Sequence, residues 1–312
     1  MKYFSAEDIE KSLDMKELID VMKDSLVALH NNDVVVPERH HISSSLHDST
    51  YLFMPVYSEK IDKVGFKYVA VCNENSKVGL PAINGIVFLA EGKTGVVKAM
   101  FDGAKLTALR TGAIGGAAVD ELASKDAKVL SIFGTGAQAE TQLRGVIAVR
   151  DIEVVYVYYR NRVKAEDFLK RVRKFYKKEI YLMNDYKKLE ESDIIIAATN
   201  SKTPLFDSTK IKFKDDVHIN AIGSFKPEMQ ELDTNLYGEF KIFADNKVGC
   251  INESGDIINA LKDGKVKDDE IVNLGEVIDR SDNYKKIKTV FKSVGNASFD
   301  LYASYYFYNK LS

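Results

Sequence analysis

A glycine-rich segment in the middle of the chain offers the clearest chemistry. Residues 134–139 read GTGAQA, follow the apolar run 129–133 and open a helical pattern near Gln138. In such a GxGxxA pattern Gly134 permits a tight turn, Gly136 lets the backbone approach a pyrophosphate, and Ala139 keeps the helix close to the strand. The segment therefore predicts a dinucleotide cofactor whose phosphates face the start of a helix.

The next strand, 154–158, ends where such proteins select their cofactor. Enzymes that use NAD usually place an acid here to hold the ribose 2′-hydroxyl, whereas an arginine accommodates the 2′-phosphate of NADP. Arg160 and Arg162 follow the strand, and no acid accompanies them. We therefore expect NADP(H) to be preferred, with NAD possible.

Three segments with different residue patterns must position these residues. Residues 34–101 form short β-rich runs between glycine-containing turns, which predicts a largely antiparallel sheet. Residues 104–123 form a helix rich in glycine and alanine, to which another backbone can approach closely. From residue 128 to about residue 248, apolar strands alternate with amphipathic helices, which predicts a doubly wound parallel sheet.

Composition narrows the class of protein. The chain has 312 residues, 45% of them hydrophobic, and a formal net charge of -2, so it can bury large cores and has no overall charge that favours nucleic acid or a membrane surface. Cys72 and Cys250 are far apart and form no CxxC pair, which suits a reducing compartment. With no long apolar run, the sequence predicts a soluble cytoplasmic protein without a membrane or nucleic-acid partner.

Two clusters of polar residues suggest other chemistry. His40, His41 and His47 lie near Asp48, but their spacing matches no zinc motif, and we predict no metal site. The basic run 170–178 interleaves aromatic residues with charges, and a solvated helix face explains it better than nucleic-acid binding.

Several motifs match one known family in their order along the chain. Besides the segment 134–139, they are the runs 65–67 (GFK), 79–81 (GLP), 106–113 (LTALRTGA), 221–228 (AIGSFKPE) and 291–295 (FKSVG). On these motifs, which extend over nearly the whole chain, the sequence resembles the ornithine cyclodeaminase and mu-crystallin family. Its members include ornithine cyclodeaminases, archaeal-type alanine dehydrogenases, reductases of cyclic ketimine acids such as Δ1-pyrroline-2-carboxylate, and mu-crystallin.

The resemblance implies an α/β fold in two domains. A Rossmann-type doubly wound dinucleotide-binding domain is expected at 121–292. A substrate-binding and dimerisation domain, α+β with a largely antiparallel sheet, is expected at 1–120 together with 293–312. The implied partners are a small amino or imino acid as substrate and a second copy of the chain.

The resemblance also implies that Arg39, Lys67 and Arg110 converge on the substrate, with Arg110 close to the nicotinamide. Guanidinium and ammonium groups are suited to a substrate carboxylate. Lys67 lies in an apolar strand, where an ammonium is costly unless it is paired or functional. We predict Lys67 and Arg110 as catalytic residues, and Lys67, with its pKa lowered by two neighbouring cations, as a proton donor to nitrogen.

The predicted cofactor contacts come from the glycine-rich segment, from strand ends and from the small-residue helix. They are Arg110, Thr111, Gly134, Gly136, Ala137, Gln138, Tyr159, Arg160, Asn161, Thr199, Gly223, Ser224, Phe225 and Ser293.

One departure from the family pattern bears on the reaction. Cyclodeaminases and the related alanine dehydrogenases carry an aspartate at the position of Phe225, thought to handle protons at the amino group. A phenyl ring cannot accept a proton, so the sequence favours an NAD(P)H-dependent reductase of a cyclic imino acid. The alternatives are an ornithine cyclodeaminase that uses NAD, an alanine dehydrogenase, and a non-catalytic ligand-binding protein of the mu-crystallin type.

Overall fold

The computed structural model describes residues 1–81 and 83–312, with the backbone alone described at residues 73 and 76. The chain divides into two compact units, Met1–Arg110 with Asn296–Ser312, and Thr111–Gly295. The strands are β1 (Lys2–Phe4), β2 (Val34–Val35), β3 (His40–Ser44), β4 (Ser49–Ser58), β5 (Lys63–Cys72), β6 (Ile83–Glu91), β7 (Val97–Asp102), β8 (Val129–Phe133), β9 (Val154–Tyr158), β10 (Glu179–Met183), β11 (Ile194–Ala197), β12 (His218–Ala221), β13 (Lys241–Ala244), β14 (Ile271–Asn273) and β15 (Thr289–Lys292).

The helices are α1 (Ala6–Lys11), α2 (Met15–His30), α3 (Gly103–Leu122), α4 (Ala137–Val149), α5 (Arg162–Val172), α6 (Lys247–Glu253), α7 (Gly255–Lys262), α8 (Leu274–Arg280) and α9 (Ala297–Leu311). The first two begin at side-chain N-caps. Ser5 and Asp8 form a reciprocal capping box at α1, and the Asp14 side chain accepts hydrogen bonds from two backbone N–H groups at α2. Among the helices within the described residues, none is long and apolar enough to cross a membrane.

The first unit is built on the sheet β1-β7-β6-β5-β4-β2, with β3 also paired to β4. Strands β2 to β7 pair antiparallel, as the sequence predicts, whereas β1 lies parallel to β7. Because side chains alternate across a strand, the two faces differ. One face, which includes Met54, Val56 and Val87, is buried, and helix α9 packs against β4, β5 and β6.

The second unit is built on an eight-stranded parallel sheet of order β10-β9-β8-β11-β12-β15-β13-β14. Helices α4 and α5 follow β8 and β9, in the strand-helix alternation that the sequence predicts. Strand order runs outward from β8 to β10 and then resumes on the other side of β8 with β11, so the topological switch point lies between β8 and β11. Open sheets of this kind bind ligands at that point, outside the carboxyl ends of the strands.

The chain boundary between the units falls inside helix α3. The division lies between Arg110 and Thr111, while the sequence-based boundary at residue 120 lies near the end of the same helix. The second boundary lies between Gly295 and Asn296, just before α9 begins. The domain limits 1–120 with 293–312 and 121–292 stay a prediction.

Candidate active site

The glycine-rich segment forms the connection between β8 and α4. Gly134 has a φ of 114°, and a Cβ there would lie 2.4 Å from the carbonyl oxygen of Ala198, so only glycine fits. Gly136 is the N-cap of α4, and apart from Gly136 and its two chain neighbours no described heavy atom lies within 4 Å of where its Cβ would be. Ala139 is fully buried against the sheet. The open space at Gly136 and the free N–H groups of Ala137 and Gln138 at the helix start fit a pyrophosphate.

The end of β9 presents one arginine rather than two. Arg162 opens helix α5 and its Nε lies 3.0 Å from Glu166 of the next turn. Asn161 caps the same helix through its side-chain oxygen, and the Tyr159 hydroxyl donates to Asn184. Arg160 is exposed and forms no side-chain hydrogen bond or salt bridge within the part of the chain that is described. Of the two predicted arginines, Arg160 is therefore the better candidate for a 2′-phosphate.

The remaining predicted cofactor residues of the second unit follow its central strands. Thr199 follows β11, Gly223 and Ser224 follow β12, and Ser293 follows β15. These three strands are adjacent and parallel, so all four residues lie at the carboxyl edge of the sheet. Phe225 comes next after Ser224, and 46% of its surface is exposed.

In the first unit, the two predicted catalytic residues meet at a third residue, Asp300. The Lys67 ammonium lies 2.5 Å from Oδ2 of Asp300, and Arg110 Nε donates to Oδ1 at 3.0 Å. Lys67 comes from β5, Arg110 from α3 and Asp300 from α9, and all three are at most 5% exposed. We call Lys67, Arg110 and Asp300 the basic trio. The Arg110 guanidinium also lies 6.0 Å from the ring centre of Phe299.

The pKa values in the basic trio follow from burial and mutual charge. Burial lowers the pKa of Lys67 to about 8; Asp300 opposes this shift, and the charges of Arg110 and Arg39 add to it. The pKa is thus lowered as the sequence predicts, but burial contributes more than the two cations. Burial also acts to raise the pKa of Asp300, yet Arg110 and Lys67 outweigh it, and that pKa lies below its usual value.

Arg39 lies outside the trio's direct contacts with Asp300 but close enough for its charge to lower the pKa of Lys67. It is half-buried, in the segment between β2 and β3. The structure thus brings Lys67 and Arg110 into one cluster, with Arg39 electrostatically coupled to it.

Asp300 is a residue that the sequence analysis missed. The available signal was a carboxylate between Phe299 and Leu301 in an otherwise apolar and aromatic final helix. A buried carboxylate is costly unless it is paired, and such a position calls for a buried cation as its partner. Glu231, fully buried beyond β12, was missed in the same way.

The histidine cluster gives no metal site in the part of the chain that the structure describes. There, no group of three or more histidine, cysteine, aspartate or glutamate side chains could hold a metal ion. His40 and His41 lie on β3, and both are largely exposed.

Residues 2–312 match the model of the ornithine cyclodeaminase/mu-crystallin family. A Δ1-pyrroline-2-carboxylate reductase of Bacillus thuringiensis subsp. konkukian is 37% identical, over 99% of this chain and 96% of the relative. Among solved structures, the Thermococcus litoralis Δ1-pyrroline-2-carboxylate reductase in complex with NADH and L-proline superposes with a TM-score of 0.92. It is 35% identical, with 99% of this chain and 97% of that chain covered.

An archaeal alanine dehydrogenase dimer with bound NAD has a TM-score of 0.88 and 25% identity, with 99% of this chain and 95% of that chain covered. The family match over almost every residue and the identities above 30% over nearly full length agree with the motifs and the Rossmann-like sheet. The chain is therefore a member of the ornithine cyclodeaminase/mu-crystallin family.

Proposed function

We propose that this protein is an NAD(P)H-dependent reductase that converts Δ1-pyrroline-2-carboxylate, a cyclic imino acid, into proline. The observation that carries the proposal is the charge of the basic trio. Lys67 and Arg110 share a single carboxylate, Asp300, so the buried cluster has one positive charge in excess near neutral pH. An excess cation in a buried place calls for an anion, and the carboxylate of an α-imino acid supplies one.

Each member of the trio has a distinct task in this proposal. The guanidinium of Arg110 is a planar fork of N–H donors that fits a carboxylate, so its task is to bind and orient the substrate carboxylate. Asp300 stays ionised because its pKa is lowered, and it holds both cations in place. Arg39 adds positive charge at the same place and is proposed as a further carboxylate contact.

Lys67 is the group able to move a proton near neutral pH. A pKa of about 8 keeps it mostly protonated at pH 7 and still acidic enough to donate. When an imine carbon accepts a hydride, the electron pair of the C=N bond moves to nitrogen, which then requires a proton unless it already carries one. We propose that Lys67 provides that proton or stabilises the protonated imine.

The dinucleotide is assigned to the second unit. Gly134, Gly136 and the first residues of α4 hold its pyrophosphate, while the ends of β11, β12 and β15 hold its nicotinamide half. A bound reduced nicotinamide supplies the hydride for the imine carbon. We propose NADPH as the preferred form, because Arg160 is exposed beside the expected ribose position and has no salt bridge to a described residue.

Phe225 favours a reductase over a cyclodeaminase. The phenyl ring, 46% exposed beyond β12, stands at the position where cyclodeaminases carry the aspartate that handles protons. Imine reduction needs no base there, because its substrate already contains the C=N bond. Phe225 is left with a role in shape and in exclusion of water.

Turnover tests the assignment directly. Oxidation of NADPH and of NADH should be followed with Δ1-pyrroline-2-carboxylate, with Δ1-piperideine-2-carboxylate, and with pyruvate plus ammonia. We expect the cyclic imino acids to be reduced far faster than pyruvate is aminated. Faster amination of pyruvate would replace this proposal with an alanine dehydrogenase.

We also propose a homodimer formed through the face of the first-unit sheet that is opposite α9. Phe53, Phe66 and Phe88 form an aromatic row on this face, with ring centres 6.2 and 5.9 Å apart, and all three are half-exposed in the single chain. Half-exposed aromatic rows of this kind mark association surfaces. A dimeric neighbour, the archaeal alanine dehydrogenase, supports a second copy as the occupant.

Light scattering tests the dimer. The chain has a mass of 35.0 kDa, and we expect twice that mass at micromolar concentration. Phe66→Glu should give monomers, whereas Val163→Glu, at an exposed position of α5, should not. A monomeric wild-type protein would contradict the proposal.

We further propose a cytoplasmic location, in keeping with the free thiols of Cys72 and Cys250.

A further inference from the structure

Glu231 is a fully buried carboxylate that lies ten residues beyond the end of β12, with no part in the chemistry proposed above. Its two oxygens accept four hydrogen bonds from two different loops. Oε1 accepts from the backbone N–H and the hydroxyl of Thr199, at 2.6 and 2.7 Å. Oε2 accepts from the N–H groups of Gly223 and Ser224, at 2.6 and 3.1 Å.

These contacts join the ends of two neighbouring strands. Thr199 follows β11, and Gly223 with Ser224 follows β12, so one carboxylate fixes the spacing of both loops. Room at this place is minimal: a Cβ on Gly223 would lie 2.0 Å from the Thr199 carbonyl oxygen and 2.5 Å from Glu231 Oε1. Gly223 thus permits the two loops to approach closely, and the hydrogen bonds of the Glu231 carboxylate then hold them together.

A second buried carboxylate, that of Asp256, accepts hydrogen bonds from the backbone at Glu231. Asp256 Oδ1 accepts from the N–H groups of Glu231 and Leu232, at 2.7 and 3.1 Å. Asp256 Oδ2 accepts from the Lys292 ammonium at 3.3 Å, and both of these side chains are fully buried. Burial raises the pKa of Glu231, while Lys292 and the Thr199 hydrogen bonds oppose that shift.

The position of the two loops indicates which part of the cofactor they serve. The pyrophosphate site is at the end of β8, and the strands on one side, β9 and β10, belong to the adenosine half of a dinucleotide. Strands β11 and β12 lie on the other side of the switch point. Their ends are therefore the place for the nicotinamide half, and Phe225 follows directly after the residues that Glu231 holds.

We propose that Glu231 is a positioning residue for the nicotinamide half of the cofactor. Its carboxylate acts through Thr199, Gly223 and Ser224 rather than by touching the ring. The proposal rests on the dinucleotide site proposed above, but it does not depend on which imino acid is reduced.

Glu231→Gln tests the proposal with almost no change in volume. The amide replaces one acceptor oxygen by an NH2 group that faces N–H donors, so one loop loses its anchor. Glu228→Gln is the matched control, because Glu228 is exposed on the same connection between β12 and β13. Affinities should be measured by calorimetry for NADH against ADP-ribose, and for NADPH against 2′-phospho-ADP-ribose. Each second ligand lacks only the nicotinamide.

We expect Glu231→Gln to lower the affinity for NADH and for NADPH about tenfold to 100-fold, which is the range for a mispaired buried group. The ligands that lack nicotinamide should bind within about twofold of wild type, as should every ligand to Glu228→Gln. The KM for the dinucleotide should rise more than the KM for the imine. A role in folding alone would lower the unfolding temperature but leave the ratio of the two affinities unchanged.

A second variant, Thr199→Val, keeps Glu231 and removes one hydroxyl donor, so it should give a smaller loss with the same selectivity for nicotinamide. The proposal would be overturned if a variant bound the dinucleotide and its nicotinamide-free counterpart with equally reduced affinity. It would also be overturned if neither variant lost affinity for the dinucleotides. A wild-type protein that binds neither dinucleotide would overturn the cofactor site as well. One that binds them normally but reduces no imine would overturn only the proposed reaction.

Discussion

The ammonium of Lys67 on β5 lies 2.5 Å from Oδ2 of Asp300 on α9, and both side chains are almost fully buried. In a buried ion pair each charge offsets the other, and removing one partner leaves the other uncompensated. Arg110 places a second cation on the same carboxylate, which leaves the cluster one positive charge in excess. Loss of either cation should therefore act mainly by weakening the binding of the substrate carboxylate.

Lys67→Ala and Arg110→Ala should each reduce kcat/KM for the imino acid by roughly 30-fold to 1000-fold. Loss of one charge-assisted contact in a desolvated site costs about 2 to 4 kcal/mol of transition-state stabilisation. Steady-state kinetics on each variant, together with thermal unfolding, separates this loss from a loss of fold.

Lys63→Ala is the control for the Lys67 substitution. Lys63 lies on the same strand, and its ammonium is neutralised by Glu91 at 3.1 Å. Its removal should leave kcat/KM within about threefold, the scale of an exposed or half-exposed ion pair. If Lys67→Ala behaved like Lys63→Ala, the basic trio would not be the carboxylate site.

Activity should decline as the pH rises through about 8. Below that pH Lys67 carries its proton, and above it the group loses both its positive charge and its ability to donate, because burial has lowered its pKa to about 8. We expect kcat/KM to be level on the acid side and then to fall about tenfold for each pH unit. The residual activity of Lys67→Met should lack this limb, whereas a limb due to the substrate would persist.

Asp300→Asn should move the same limb to lower pH. Asp300 is the charge that raises the pKa of Lys67 against burial and against the cations Arg110 and Arg39, so its neutralisation lets the pKa fall further. The measurement is the pH profile of kcat/KM for the variant beside that of wild type. An unchanged midpoint would mean that Lys67 is not the group that titrates.

Lys67 and Arg110 could be proposed from the sequence through the family resemblance, with support from their local surroundings. An ammonium in an apolar strand and an arginine on a small-residue helix are unusual whatever the rest of the chain does. The partner of Lys67 could not be found in this way, since it depends on helix α9 packing against β5 from the far end of the chain. Asp300 is conspicuous as a carboxylate in an apolar helix, but its partners are distant in the sequence.

The fold shows the same division. The central strands β8 and β9 have strong local patterns, and the sequence analysis places both correctly. The sequence analysis did not place the interior strand β13 or the edge strands β10 and β14, and edge strands lack the continuous apolar pattern of central ones. In β10, for example, Glu179 and Tyr181 are exposed.

Arg160→Asp should shift the cofactor preference from NADPH toward NADH. Arg160 is exposed beyond β9 without a salt bridge to a described residue, while an aspartate there would repel the 2′-phosphate and accept a hydrogen bond from the ribose 2′-hydroxyl. Fluorescence titration with both cofactors measures the change. Arg162→Asp is the comparison, since Arg162 already pairs with Glu166 and should matter less. Equal NADH and NADPH affinities in wild type would contradict the assigned role of Arg160.

Phe225→Leu should keep kcat/KM within about tenfold of wild type, because exchanging one apolar side chain for another in a pocket is a methylene-scale change. Phe225→Asp places a proton acceptor where cyclodeaminases have one, and it should lower imine reduction while permitting a trace of ammonia release from ornithine with NAD. Ammonia assays on both variants and on wild type measure this. If the wild-type protein released ammonia from ornithine as fast as it reduces the imine, Phe225 would not distinguish the two reactions, and cyclodeaminase chemistry would have to proceed through another base.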